Sequence, residues 1–325
     1  MDKYILCALS FLLSIGLTLI IESRLIPLLS SKAKQPIYEG GPSWHMKKNG
    51  TPTMGGVAFV VSIFLSLTIA AIILIQNQKA EGISILISAI FALGNSLVGV
   101  FDDLMKLHKE ENAGLTPLQK LGLQLILSII FLMARKHFLA DNTVIDFAFT
   151  KIDFGLLYYP VAIFLLLGIV NFANLTDGVD GLASSVAVAM GTVFLIIGYS
   201  FSYDIPIISS AIIGGGCGFL FFNINPAKIF MGDTGSLFFG ALTVSLAFSI
   251  NKPLLIIPIG IVYVIEGISV ILQVLIFKLT KKRLFKMAPL HHHLEKCGFS
   301  ENRICVISVI VTLIFSAFSL LFLRS

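Results

Sequence analysis

The chain has 325 residues, of which 56% are hydrophobic and 13% charged, with a formal net charge of +5. Soluble domains carry about 25% charged residues, so a water-soluble globule is excluded and a polytopic membrane protein is implied. The positive balance gathers in a few loops between apolar runs, which removes nucleic acid from the expected partners and leaves the lipid bilayer.

Ten apolar runs are long enough to cross a bilayer: 4–21, 57–75, 83–101, 118–134, 156–172, 182–199, 205–222, 235–250, 254–277 and 304–323. They are too long and continuous for barrel strands. The predicted fold is all-α, a single transmembrane domain over 1–325 with ten transmembrane helices. The first run has no small-residue cleavage site after it and reads as a retained span. The loop 141–156 has room for a small hairpin. The ninth run holds Pro258, Gly260, Glu266 and Gly267, which permit a break, although membrane helices also use Pro and Gly routinely. Cys7, Cys217, Cys297 and Cys305 follow no metal-type spacing and are expected as reduced thiols. No internal repeat is visible, which counts against an inverted-repeat transporter.

Loops after odd-numbered runs, counted with Lys120 at the start of the fourth run, hold 16 of the 23 Lys and Arg residues. By the positive-inside rule that side is cytoplasmic, and both termini lie outside. Asp102, Asp103, Asp177, Asp180, Asp233, Glu295 and the histidines 291–293 all fall on the same side. Charge counting alone thus gathers the reactive residues on the cytoplasmic face.

Five stretches could carry chemistry. The first, 44–56, is basic and glycine-rich and contains Lys48. It reads either as a patch on anionic lipid or as a contact for a phosphorylated ligand. The second is Asp102-Asp103 with Lys106 an i,i+4 partner. A charge in hydrocarbon costs roughly 2.5–3.5 kcal/mol, so adjacent acids at a membrane boundary reach water or do a job. Neighbours on a helix point about 100° apart, so the pair is not expected to serve one ion equally. In the third, Asn171, Asn174, Asp177 and Asp180 recur every three residues beside Gly178 and Gly181. A polar turn would explain the types, but the register favours a ligand site.

The fourth runs from Asn223 through Phe230 to Gly232-Asp233-Thr234-Gly235-Ser236. Asp233 at a helix start reads as a cap or as a ligand for a hard cation. The fifth is His291-His292-His293 with Glu295. Zinc sites need ligands from spaced positions, so diphosphate binding suits this run better.

These stretches in this order resemble the MraY family of phospho-N-acetylmuramoyl-pentapeptide transferases, within the polyprenyl-phosphate N-acetylhexosamine-1-phosphate transferase superfamily. The matching segments are Gly50–Gly56, Phe101–Asp103, Asn174–Ala183, Phe230–Ser236 and Pro289–Glu295. The resemblance implies a bacterial plasma-membrane enzyme of peptidoglycan synthesis. It would move phospho-MurNAc-pentapeptide from UDP-MurNAc-pentapeptide to undecaprenyl phosphate, giving lipid I and UMP. It also implies Mg²⁺ as cofactor, a homodimer, and an outward-bending ninth helix beside a groove for the polyprenyl chain.

By the same resemblance, Asp233 is the Mg²⁺ ligand, Asp102 deprotonates or orients the lipid phosphate, and Asp103 supports that phosphate or the metal's water shell. His291 and His292 face the diphosphate, with His293 adjoining, and Asn223 supports it. Lys48, Asn174, Asp177, Asp180 and Phe230 hold the uridine end, with Asn171 in the same register. Lys106 and Lys120 are further phosphate contacts. A sister transferase using UDP-N-acetylglucosamine shares the aspartates, and a membrane transporter is the alternative of a different class.

Overall fold

The structure is a computed structural model and describes residues 2–32, 48, 50–109, 114–146 and 150–321. Most of the first basic loop, including Trp44, His45 and Lys47, lies outside the described residues. The helices are α1 (Lys3–Lys32), α2 (Gly56–Ile75), α3 (Lys79–Lys109), α4 (Pro117–Leu139), α5 (Tyr158–Thr176) and α6 (Leu182–Gly198). They continue as α7 (Asp204–Asn223), α8 (Gly232–Ser249), α9 (Ile256–Ile259), α10 (Ile261–Thr280), α11 (Leu290–Lys296) and α12 (Glu301–Leu321). Between α4 and α5 the expected hairpin is present: β1 (Val144–Asp146) pairs antiparallel with β2 (Lys151–Asp153), Ile145 opposite Ile152.

Among the described residues, eight helices are long and apolar enough to cross a membrane: α1 to α5, α7, α10 and α12. The sixth and eighth expected spans correspond to α6, an apolar helix of 17 residues, and α8, whose first turn is polar. The reason α8 need not be as apolar lies in its surroundings. Every residue from Thr234 to Phe248 is buried by protein. Helices α3 and α5 pack along it, with α2 also against it. A helix enclosed by other helices meets no lipid, so its composition is set by packing. Phe59 of α2 stacks on Phe239 of α8 at 4.4 Å and meets Phe219 of α7 edge-on at 5.0 Å, an aromatic core directly beneath the helix ends that carry the site.

Two glycines set how closely those ends approach. Gly99 of α3 lies on the backbone of Asp233 and Thr234, where a methyl group would collide. Gly232 has φ +70, and a side chain there would meet the Asp103 carboxylate. Without them α3 could not bring two carboxylates onto the start of α8.

The ninth span is broken as its composition permits. Helix α9 ends at Ile259, Gly260 takes non-helical angles (φ −92, ψ 26), and α10 begins at Ile261. Pro258 has no N–H to continue the ladder, and Gly260 absorbs the change of direction. Beyond Gly267 the helix leaves its neighbours. Ile268, Ile271, Leu272, Val274, Leu275, Phe277 and Leu279 are all exposed. They leave only one side of α10 covered, where Ser269 is buried and Gln273 accepts the backbone N–H groups of Leu284 and Phe285, and so much exposed apolar surface suits a helix arm projecting into lipid.

Candidate active site

The candidate residues converge where α3, α5 and α7 end and where α4, α6 and α8 begin. One oxygen each of Asp102, Asp103 and Asp233 lies within 4.8 Å of the others. The three carboxylates nevertheless have different partners. Asp103 accepts from the backbone N–H groups of Asp233 (3.1 Å) and Thr234 (3.0 Å) and from the Thr234 hydroxyl (2.7 Å). It caps α8 from another helix, neutralising the positive end of the α8 dipole. Both its oxygens are committed, so it positions the α8 start rather than facing a ligand. Of the two readings for Asp233, the capping one falls to Asp103, and the Asp233 carboxylate turns to side chains instead.

Asp102 accepts the backbone N–H of Leu115 on Oδ1 (2.8 Å) and pairs with Lys106 through Oδ2 (2.6 Å). Leu115 comes just before the α4 capping box. There the Gln119 N–H donates to Thr116 Oγ1, the Thr116 N–H donates to Gln119 Oε1, and Pro117 sits in the first turn. That box aims Lys120 inward, and its ammonium reaches Asp233 Oδ2 at 2.5 Å, with Lys106 on the same oxygen at 3.3 Å. Asn174, at the end of α5, donates to Asp233 Oδ1 (2.9 Å) and to the Ser236 hydroxyl (2.8 Å).

The result is three carboxylates and two ammonium groups in one cluster, formally carrying one net negative charge. Oxygen donors of this density suit a hard divalent cation such as Mg²⁺. Asp233 fits that role best of the three. Its partners are two lysines and an amide on flexible side chains, which can swing away, whereas Asp102 and Asp103 are also tied to backbone N–H groups.

A second group of residues builds the walls. Asp180 is saturated: Lys48 pairs with Oδ1 (2.7 Å), while Asn225 Nδ2 (2.9 Å) and the Ala227 N–H (3.0 Å) donate to Oδ2. Glu301, at the start of α12, accepts from both Lys48 (2.7 Å) and the Asp180 N–H (2.7 Å). Asn223 is buried and accepts from the Gly181 N–H (3.0 Å) while donating to the Ile229 carbonyl (2.9 Å), so it knits the α5–α6 turn to the loop before α8. Phe230 is half-buried, and its backbone pairs with Pro52 and Gly55, which brings the glycine-rich 50–56 segment onto the site. Asn171 sits one turn deeper than Asn174 and binds Gln124 of α4 at 2.7 Å, away from the carboxylates.

Asp177 is half-buried at the end of α5. Its carboxyl is pushed up to about 8 by burial, reinforced by the charges of Asp233, Asp103 and Asp180.

The three histidines diverge. His291 is fully buried, with its backbone N–H and Nδ1 on Glu266. His292 Nδ1 lies 2.7 Å from Glu295 Oε2. His293 turns away, its Nδ1 accepting the Lys286 N–H (3.1 Å) and its ring against Phe285, where it holds the basic loop. Glu266, Glu301 and Leu115 are the site components that pattern reading did not assign. A lone acid inside an apolar run was the available signal for Glu266.

The Glycosyl transferase family 4 model matches residues 83–251, and the phospho-N-acetylmuramoyl-pentapeptide-transferase signature 1 matches residues 48–60. Relatives named phospho-N-acetylmuramoyl-pentapeptide-transferase include one from Clostridium botulinum, 41% identical over 94% of this chain and 93% of the relative. Those from Clostridium perfringens (43%, covering 90% of each) and Bacillus velezensis (44%, covering 89% of each) are similar over nearly the same length. The helix-end carboxylate cluster, the segment bearing Lys48 and this likeness over nearly the full length agree, and the chain belongs to the phospho-N-acetylmuramoyl-pentapeptide transferase family.

Proposed function

We propose that this protein transfers phospho-MurNAc-pentapeptide from UDP-MurNAc-pentapeptide to undecaprenyl phosphate, releasing UMP and forming lipid I. An oxygen of the lipid phosphate attacks the β-phosphorus of the nucleotide. The bond from that phosphorus to the bridging oxygen breaks, and the electron pair leaves with UMP. Such transfers rest on positioning and charge neutralisation more than on covalent help from the protein.

The observation that carries this reading is the Asp102–Asp233 cluster with Lys106 and Lys120 bound to it. Asp233 would hold Mg²⁺, aided by Asn174, and the ion would supply charge neutralisation on the diphosphate. Lys106 and Lys120 exchange their carboxylate partners for phosphate oxygens. Asp102 orients the lipid phosphate and takes its proton. Asp103 fixes the α8 start so that Asp233 faces the ligand. Lys48, Asp180 and Phe230 form the uridine end, and His291 and His292 face the diphosphate. The polyprenyl chain lies along the projecting half of α10. Ten spans with both termini outside, an active site on the cytoplasmic side and a homodimer complete the proposal.

The test is a transfer assay on purified protein in detergent with Mg²⁺ and undecaprenyl phosphate. Lipid I and UMP are expected with UDP-MurNAc-pentapeptide. UMP release with UDP-N-acetylglucosamine alone would assign the sister reaction instead.

A further inference from the structure

Glu266 is an acid inside a membrane helix, and the residue is 4% exposed. Both of its oxygens are engaged by a single residue. The His291 backbone N–H donates to Oε1 (3.1 Å) and Oε2 (3.2 Å), and His291 Nδ1 lies 3.1 Å from Oε2. A carboxylate that already accepts a backbone N–H is an acceptor towards the ring as well, which puts the imidazole proton on Nδ1. The opposite ring atom, Nε2, is fully buried and has no partner among the described residues. It lies against Gly178, where any side chain would collide with it. The ring of His292 packs edge-on over His291 at 4.2 Å. The imidazole is thus held by Glu266, by a neighbouring ring and by a bare backbone, with one nitrogen lone pair left over.

We propose that Glu266 is a positioning residue: it holds the His291 proton on Nδ1 and so leaves Nε2, beside Gly178, as the face of the ring turned towards the substrate site. This rests on the reading that His291 faces the substrate. An imidazole whose far nitrogen is hydrogen-bonded to a carboxylate is fixed in tautomer and in orientation.

The test uses the full-length protein in detergent and three variants. Histidine ¹⁵N spectra of the wild type should show the His291 proton on Nδ1, the resonance being identified by its loss in His291→Asn. In Glu266→Gln an oxygen remains for the backbone N–H, but the new amide donates to Nδ1 and shifts the ring proton to Nε2. Turnover should fall by about 30-fold or more, with KM for the UDP substrate changed less than about threefold, because only the reacting end is altered. Glu266→Asp, which keeps the carboxylate, should restore the Nδ1 proton and part of the rate. A wild-type His291 protonated only on Nε2 would overturn the inference, whether or not Glu266→Gln folds. So would wild-type turnover by Glu266→Gln alongside an inactive His291→Asn. Wild-type turnover by His291→Asn would instead remove the substrate-facing reading of that histidine, a separate failure.

Discussion

At the scale of single residues, the three clustered carboxylates differ in what holds them. Asp233 is held only by side chains that can move, whereas Asp102 has a backbone N–H on one oxygen and a lysine on the other. Replacing Asp233 with Asn should therefore reduce turnover by about 10²-fold or more and raise the Mg²⁺ concentration needed for half-maximal rate. Asp102→Asn should lower turnover to a similar degree with that Mg²⁺ concentration unchanged. A Mg²⁺ titration of the transfer rate checks both, and equal shifts in the two variants would contradict the division of roles.

Asp177 gives a pH prediction. An ordinary Asp titrates near 3.9, and burial with neighbouring carboxylates lifts this one to about 8. The fold therefore favours the protonated form. The stability this contributes is fully present below about pH 4 and lost as pH rises through about 8. The ligand-free protein should lose thermal stability over that window, and Asp177→Asn should lose less. Parallel melting curves against pH for the two proteins would refute this. The residue types were legible in the sequence because acids at membrane boundaries are costly. Their individual duties were not. Asp103 meets Thr234 across 131 positions of chain and Asn223 meets Gly181 across 42, and no local pattern encodes such pairings.

At the scale of elements, the site is a set of helix ends held by contacts between helices. The start of α8 is the clearest case, since its cap comes from α3. Asp103→Ala removes three hydrogen bonds at the positive end of that helix. It should cost about 1–2 kcal/mol of stability, together with most of the activity because Asp233 loses its seat. A thermal-shift measurement paired with the transfer assay reads both, and an active, less stable variant would contradict the coupling.

Helix α1 carries the opposite situation. Glu22 is fully buried against Gly55, Phe219 and Ile229, with no partner for either oxygen among the described residues. A buried polar group without a partner destabilises, so Glu22→Met should raise stability by about 1–3 kcal/mol in the same thermal-shift measurement. A lower melting temperature would contradict it. Pro258 and Gly260 permitted the break in the ninth span without deciding it, and the 141–156 loop offered no more than room for its hairpin. The depth at which α8 sits was not readable, because enclosure by other helices leaves only a muted trace in a hydropathy pattern.

At the scale of the whole molecule, sidedness joins the chemistry to the membrane. The acid cluster, the histidine helix and the basic stretch 278–286 lie at one end of the helix assembly in sequence order, after odd-numbered spans. An enzyme drawing on a water-soluble nucleotide needs that end in the cytoplasm, and the lysine and arginine distribution points the same way. The cysteines supply a direct measure. Cys297, next to α11, is exposed, Cys7 and Cys305 are buried, and Cys217 is half-buried within α7. A membrane-impermeant maleimide should therefore react mainly with one thiol per chain. Labelling is expected in inside-out vesicles and absent from sealed right-side-out vesicles, and Cys297→Ser should abolish it. Saturating nucleotide substrate should leave the labelling in place, because Cys297 faces the His293 side of α11 at 3.8 Å, on the ring that turns away from the carboxylates. Labelling confined to right-side-out vesicles would invert the proposed topology and put the carboxylate cluster on the face that nucleotides do not reach.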